Sequence, residues 1–163
     1  MIVTKKGQQV ELVGTQPVVG EKAPEFVLKN LADQDIALSA LKGKPVLISF
    51  VPDIDTRICS IQTKRFNQEA GATADVAFLT ISNNTKEEQS NWCAAEGVDM
   101  QMLRDVDNTF GEAYGLFIPE MGRLARAIFV VDKDGTLAYE QISQEISEEP
   151  DYSAALDKAK ALR

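Results

Sequence analysis

Histidine is absent from this chain of 163 residues, and cysteine occurs only at positions 59 and 93. Without histidine there is no Ser–His or Cys–His nucleophile pair and no imidazole ligand for a metal. Two cysteines cannot complete a four-cysteine zinc site or supply the disulfide framework of a secreted scaffold. The glycine patterns of P-loop and dinucleotide-binding proteins are also missing. We therefore expect no metal and no cofactor, and the two thiols remain as the distinctive chemical groups.

Positive charge and long apolar runs are also scarce. Lysine and arginine total 17 against 25 aspartates and glutamates, which gives a formal net charge of −8. An acidic surface repels phosphate backbones and anionic lipids, so nucleic acid and membranes are poor candidates as partners. No apolar run approaches the ~20 residues that cross a bilayer, and residues 1–6 lack the features of a signal peptide. We expect a cytoplasmic protein, with the periplasm as the less favoured alternative.

Apolar periodicity predicts a single α/β domain over residues 1–163. Residues 2–13 alternate in two short segments, which indicates a β-hairpin extension within residues 1–20. Apolar runs at 46–51 and 76–81 flank a helical pattern, so we expect a parallel β-α-β unit. The other predicted strands lie at 26–28, at 36–39 and, more weakly, at 100–103, and a hairpin is predicted over 127–142. A helix is predicted from a capping box at 85–88 to Gly97, and a short helix after residue 108. The last helix covers 151–162, with Pro150 where a first helical residue is expected.

The junction between the first long apolar run and the following helix carries the first candidate site. The run stops at Pro52, and Cys59 falls in or near the first turn of the helix. Unpaired backbone N–H groups and the positive end of the helix dipole favour an anion there, and a thiolate is an anion. Thr56 supplies a hydroxyl that can bond the sulfur or cap the helix. On these residues alone, a buried and unreactive Cys59 is an equal alternative.

The helix that contains Cys59 has Ile58, Ile61 and Phe66 on one side and Gln62 elsewhere. This one-sided distribution is typical of a helix with one apolar face. Gln62 is therefore expected to lie away from that face.

The spacing Pro52-x-x-x-Thr56-x-x-Cys59 resembles the active-site signature of the peroxiredoxins. The longer pattern, with IDT at 54–56 and RFN at 65–67, resembles the thiol peroxidase branch, the atypical two-cysteine peroxiredoxins of bacteria. The resemblance extends over nearly the whole chain and, with the order of elements, implies a thioredoxin fold. It also implies that Cys59 attacks peroxide, that Thr56 helps to orient the substrate and that Pro52 shields the sulfur from water.

Cys93 lies 34 positions after Cys59, which is not the Cys-x-x-Cys spacing of a disulfide exchanger. By its position alone it is more readily a core residue beside Trp92. The string WCAAEG at 92–97, however, resembles the family motif that holds the resolving cysteine. The resemblance thus implies that Cys93 forms an intramolecular disulfide with oxidised Cys59.

Residues 122–132 resemble the family's arginine strand, and the matched residue is Arg126. In relatives this guanidinium faces the reactive sulfur, where a fixed cation favours the thiolate and can bond the oxygens of a peroxide. An ordinary exposed charge at the end of a strand is the alternative, and Arg123 is a neighbour that can be confused with it. Relatives usually carry serine at position 53 and glycine at 57. Asp53 and Arg57 here have opposite charges, which leaves their net effect on Cys59 open.

The hypothesis is a peroxidase that reduces hydrogen peroxide and organic hydroperoxides, with thioredoxin as the reductant of the Cys59–Cys93 disulfide. The family also implies a homodimer. A disulfide requires Cα atoms within about 7 Å, so two thiols on separate helices predict local unwinding around both cysteines during turnover. The alternatives are a non-enzymatic redox sensor, in which oxidation of Cys59 changes a partner surface, and a scaffold with inert buried thiols.

Overall fold

The computed structural model describes residues 1–98 and 101–163. In these ranges the strands are β1 (Ile2–Lys5), β2 (Gln8–Glu11), β3 (Val27–Lys29), β4 (Asp35–Ala37), β5 (Val46–Phe50), β6 (Ala77–Ser82), β7 (Gln101–Arg104), β8 (Phe117–Ile118), β9 (Arg123–Leu124), β10 (Ala127–Val131) and β11 (Leu137–Ile142). The helices are α1 (Arg57–Ala72), α2 (Lys86–Glu96), α3 (Thr109–Ala113) and α4 (Tyr152–Ala161). The weak strand predicted at 100–103 is found as β7, and its first residue, 100, lies outside the described residues.

Seven strands form the central sheet in the order β11-β10-β5-β6-β7-β3-β4. β6 pairs in parallel with both β5 and β7, whereas β10 runs antiparallel to β5 and to β11. Every residue of β5 and β10 is buried, because apolar side chains cover both faces of the sheet at its centre. This arrangement is the thioredoxin fold, and the predicted parallel unit and late hairpin are confirmed.

Two apolar clusters lie on the two sides of β5. Val46, Ile48 and Phe50 belong to one cluster, and Leu47 belongs to the other. Successive side chains of a strand point to opposite faces, so the two clusters cover opposite faces of the sheet. The second cluster contains both cysteines and the buried face of α4. None of the helices in the described ranges has the length and apolarity needed to cross a bilayer.

The predicted N-terminal hairpin is present as β1 and β2, which pair antiparallel. It is joined to the loop after β11, because the Thr4 N–H donates to the Gln144 carbonyl at 2.6 Å and the Ile146 N–H donates to the Thr4 carbonyl at 2.9 Å. The Glu145 carboxylate also accepts from the Gly7 N–H at 2.9 Å. The hairpin and this loop therefore form one joined unit, which the sequence did not indicate.

The buried face of α1 differs from the prediction. It consists of Cys59, Gln62, Thr63 and Phe66, whereas Ile58 and Ile61 are only partly buried. The prediction was wrong because it counted apolar residues. The buried polar side chains of this face have partners instead: Gln62 bonds groups on β5 and Arg126, and Thr63 donates to the Cys59 carbonyl. α4 also begins two residues after Pro150, with Asp151 as its N-cap. The short β8–β9 pair was not predicted.

Candidate active site

β5 leads directly into the segment that holds Cys59. After the strand ends at Phe50, the chain passes Pro52, and α1 begins at Arg57 with Thr56 as its N-cap. Cys59 therefore lies in the first turn of α1, as expected. Its thiol is free and its surface is fully buried. Backbone N–H groups in this first turn have no acceptor within the helix, so the turn favours a negative charge.

Arg126 is the arginine that reaches the sulfur. Its side chain is 3% exposed, and Nη2 donates to Cys59 Sγ at 3.3 Å. Nη1 donates to Gln62 Oε1 at 2.9 Å, and Nε donates to the Ile146 carbonyl at 2.8 Å. Three donors bound to three separate acceptors fix the plane of the guanidinium. Arg123, the neighbour that could be confused with it, bonds Asn83 and pairs with Asp53 instead.

The charge of Arg126 has no carboxylate partner within 4.0 Å in the described part of the chain; its bonded partners are an amide oxygen, a backbone carbonyl and a sulfur. A buried cation is costly unless it meets an anion or a well-formed set of acceptors. A negative charge on the Cys59 sulfur, or on an atom bound beside it in the cavity, can balance this cation.

Gln62 holds Arg126 in place, and this residue was missed at the sequence level. Its amide nitrogen donates to the Ser49 hydroxyl at 2.8 Å and to the Phe50 carbonyl at 3.3 Å. With the nitrogen engaged by β5, the amide oxygen is directed at Arg126. The available signal was spacing, because Gln62 lies three residues after Cys59 and so on the same face of the helix.

Thr56 makes neither of the two contacts expected of it. Its hydroxyl donates to the Asp53 carbonyl at 2.8 Å, and it makes no side-chain capping bond to α1. Because the hydroxyl proton is used in this bond, Oγ1 can only accept hydrogen bonds from other groups. Thr56 lines the same cavity as Cys59, and its expected role in orienting a substrate stays a prediction.

A cavity of ≈ 800 Å³ opens above Cys59, and Pro52, Thr56, Arg126, Met121 and Ile146 line it. Two smaller cavities, of ≈ 270 and ≈ 470 Å³, contain neither cysteine. Cys59 borders the large cavity although its own surface is fully covered. A molecule in the cavity therefore reaches the sulfur only after a neighbouring side chain shifts.

Asp53 and Asn84 connect the Cys59 loop to the start of α2. Asn84 Nδ2 donates to the Asp53 carboxylate at 3.1 Å, and the Ile54 N–H donates to Asn84 Oδ1 at 2.9 Å. The other oxygen of Asp53 lies 3.5 Å from Nη2 of Arg123. The negative charge at position 53, where the resemblance leads one to expect serine, is thus balanced by Arg123 and by the Asn84 amide.

Cys93 lies near the end of α2 as a free thiol, 9% exposed, beside buried Trp92. Burial raises the pKa of the Cys93 thiol. Gly97, with φ 66°, ends the helix and its N–H bonds the Cys93 carbonyl. Cys93 therefore belongs to the last turn, and helix ends open more easily than helix centres. The structure places both cysteines in one apolar cluster without a bond between them.

Comparisons with known proteins agree with this geometry. The model of the AhpC/TSA family matches residues 19–140. A thiol peroxidase from Bacillus subtilis is 41% identical over 98% of this chain and 97% of its own length. A thiol peroxidase from Oceanobacillus iheyensis is 45% identical over 94% of this chain and 95% of its own length. The crystal structure of a peroxiredoxin-like protein from Aquifex aeolicus, 33% identical, superposes with a TM-score of 0.93 over 99% of this chain and 97% of that chain.

A first prediction concerns the role of Glu145 in holding the N-terminal hairpin to the loop after β11. Glu145 accepts hydrogen bonds from the Thr4 hydroxyl, the Gly7 N–H and Ser147. These bonds, that of the Ser147 hydroxyl first, lower the pKa of Glu145 to about 2. In Glu145→Ala, opening of β1 from the loop should rise about tenfold, since each lost hydrogen bond contributes modestly. Amide hydrogen exchange at Thr4 and Ile146 measures this opening.

The matched control is Glu148→Ala, which removes an exposed carboxylate from the same loop. It should leave exchange at Thr4 and Ile146 unchanged. Equal exchange in the two variants would contradict a specific role for Glu145.

Proposed function

Because this chain belongs to the AhpC/TSA family and, within it, to the thiol peroxidases, we propose that it is a thiol-dependent peroxidase that reduces hydrogen peroxide and organic hydroperoxides. The observation that carries the proposal is the hydrogen bond of 3.3 Å from Arg126 to Cys59 Sγ. It joins a buried cation to the one sulfur in the first turn of α1, at the wall of the cavity.

In the first step, the Cys59 thiolate attacks the distal oxygen of the peroxide. An S–O bond forms, the O–O bond breaks, and the leaving oxygen takes a proton and departs as water or an alcohol. Thiolate formation alone supplies roughly a few tens of times more nucleophile than an ordinary thiol at neutral pH. Orientation of the peroxide by Thr56 and polarisation of its O–O bond by Arg126 have to supply the remaining rate enhancement, and Pro52 limits the access of water.

In the second step, Cys93 attacks the sulfur of the Cys59 sulfenic acid, water leaves, and an intramolecular disulfide forms. The family supports a thioredoxin-type dithiol protein as the reductant that returns both thiols. We also propose a homodimer in a bacterial cytoplasm. The chain acts as a single domain over residues 1–163, which is supported by the contributions that both of its ends make to the two apolar clusters.

The test is a coupled assay of hydroperoxide reduction with thioredoxin and thioredoxin reductase. Wild type should turn over continuously, whereas Cys59→Ser should be inactive because it lacks the attacking sulfur. Cys93→Ser should consume about one equivalent of peroxide and stop as the sulfenic acid. Sustained turnover by Cys59→Ser would reject the assignment of the attacking residue.

The redox-sensor alternative finds no support among the named relatives, which are thiol peroxidases. It would predict slow or single turnover of wild type even with ample thioredoxin. The same assay therefore separates the two functions.

A further inference from the structure

The two halves of helix α2 are attached to the rest of the molecule in different ways. An exposed ion pair lies at each end, to Asp33 at the start and to Lys64 at the end, and pairs of this kind contribute little to stability. The second half packs into the core through the apolar surfaces of Trp92 and Cys93. The first half has a buried polar side chain, Gln89. The attachment of α2 to the sheet is therefore asymmetric along the helix.

Gln89 fastens the first half of α2 to two strands of the central sheet. The residue is fully buried, and its amide nitrogen donates to the Ser82 hydroxyl at 2.9 Å and to the Leu103 carbonyl at 3.0 Å. Ser82 ends β6, and Leu103 lies in the neighbouring parallel strand β7. The amide oxygen is buried and has no donor among the described residues. Within these residues, the two bonds of the nitrogen therefore hold the amide in place.

Gln89 lies one turn before Cys93 on the buried face of α2. Residues four apart are neighbours on a helix surface, so Gln89 fixes the backbone immediately before the turn that carries the thiol. When the last turn unwinds, the segment between a fixed Gln89 and Cys93 spans four residues. A short segment of this kind gives the Cys93 sulfur a higher effective concentration at Cys59 than a long one does.

We propose that Gln89 is a positioning residue for the resolving step, which keeps α2 helical up to residue 89 while residues 90–97 unwind and bring Cys93 to Cys59. The inference rests on the proposed disulfide step and adds the residue that fixes the end of the moving segment. Without the bonds of Gln89, the preceding buried side chain that ties this region to another element is Asn84. The segment before Cys93 then lengthens from four to nine residues, which lowers the effective concentration about threefold.

The first measurement separates the two chemical steps in Gln89→Met, which keeps a side chain of similar length and removes the amide. After one equivalent of peroxide, disulfide formation followed by acid quench and mass spectrometry should be about three- to tenfold slower than in wild type. The attack of Cys59 on peroxide, followed by stopped flow, should change by less than twofold, because Cys59 and its partner Arg126 lie on other elements. With excess peroxide, a second molecule should oxidise more of the waiting sulfenic acid to sulfinic acid, with release of water.

The second measurement locates the end of the unwound segment by amide hydrogen exchange. The N–H groups of Glu88 and Gln89 are bonded to the hydroxyl and the carbonyl of Thr85. In disulfide-bonded wild type these two amides should exchange as slowly as in the reduced protein, whereas in disulfide-bonded Gln89→Met their exchange should rise about tenfold. Ser82→Ala removes one of the two acceptors and leaves the Leu103 carbonyl, so it should change the exchange and the rate of disulfide formation in the same direction by a smaller factor.

The control is Gln68→Met, which makes the same chemical change at an exposed position of α1 and should keep the wild-type rate of disulfide formation. Unchanged or faster disulfide formation in Gln89→Met, with the circular dichroism of wild type, would overturn the positioning role. If Gln89→Met does not fold, an unchanged rate in Ser82→Ala would overturn it.

Two results with wild type concern the proposed function instead. Consumption of peroxide without a Cys59–Cys93 disulfide would reject the resolving step on which this inference rests. Absence of any peroxide consumption that depends on Cys59 would reject the peroxidase function itself.

Discussion

Arg126→Lys should reduce hydrogen peroxide about 100- to 1,000-fold more slowly than wild type, which is the usual loss when one donor that stabilises a transition state is removed. Lysine keeps the positive charge, but a single ammonium group cannot reproduce a planar fork with three bonded acceptors. In particular, it cannot contact Cys59 Sγ while also holding Gln62 Oε1 and the Ile146 carbonyl. The rate of a single peroxide turnover, measured by stopped flow, tests this expectation.

Two further measurements separate chemistry from folding. Alkylation of Cys59 by iodoacetamide reports the thiolate alone, so in Arg126→Lys it should slow by only about tenfold, much less than peroxide reduction. Arg123→Lys is the matched control, because Arg123 lines the same cavity but bonds Asn83 and Asp53. In Arg123→Lys, the rate of peroxide reduction should change by no more than a few-fold. If Arg126→Lys slowed alkylation and peroxide reduction by the same factor, the proposed polarisation of the peroxide by Arg126 would be contradicted.

The position of Cys59 could be predicted because it depends on local sequence. An apolar run that ends at Pro52 and is followed by a helical pattern places Cys59 in a first turn, and the structure has it there. The sheet around it was also predictable, since the runs that became β5, β6 and β10 are continuous apolar stretches. Arg126 was selected through the resemblance to a family, and the structure shows its hydrogen bond to Cys59 Sγ.

The two other partners of Arg126, Gln62 and the Ile146 carbonyl, could not be predicted, because these bonds join distant parts of the chain. Gln62 was placed on the wrong side of α1, since a buried glutamine looks like a surface residue until its acceptor and donor are known. The Ile146 carbonyl lies in a loop after β11 with no motif to mark it. The Thr56 hydroxyl was assigned to the sulfur or the helix, but a nearer carbonyl, that of Asp53, takes its proton. Hydrogen bonds of this kind are decided by tertiary geometry.

We expect formation of the proposed disulfide to change the surroundings of both cysteines. Cys59 and Cys93 are free thiols on separate helices, 0% and 9% exposed, and thiol–disulfide exchange with a reductant protein needs access to a sulfur. Cys93 is in the last turn of α2, where only Gly97 and Val98 cap its carbonyl. The bonds of Asn84 to Ile54 and Asp53 hold the other end of α2 to the Cys59 loop. The Cys93 end is tied to α1 by the pair of Glu96 with Lys64 at 2.7 Å, but exposed ion pairs contribute little. We therefore expect opening of this end to be the less costly motion.

Oxidation by one equivalent of peroxide should expose Trp92, the single tryptophan of the chain, which is 5% exposed in the reduced protein. Its fluorescence should shift to longer wavelength, and amide exchange over residues 90–97 should accelerate by about 100-fold, because the last turn of α2 has to unwind to bring Cys93 to Cys59. Cys93→Ser treated with the same peroxide is the control, since it forms the sulfenic acid without the disulfide and should keep the spectrum of the reduced protein. Identical fluorescence and exchange in reduced and disulfide-bonded wild type would mean that the two sulfurs meet without unwinding of α2, and the mechanism would then need a different route for the reductant.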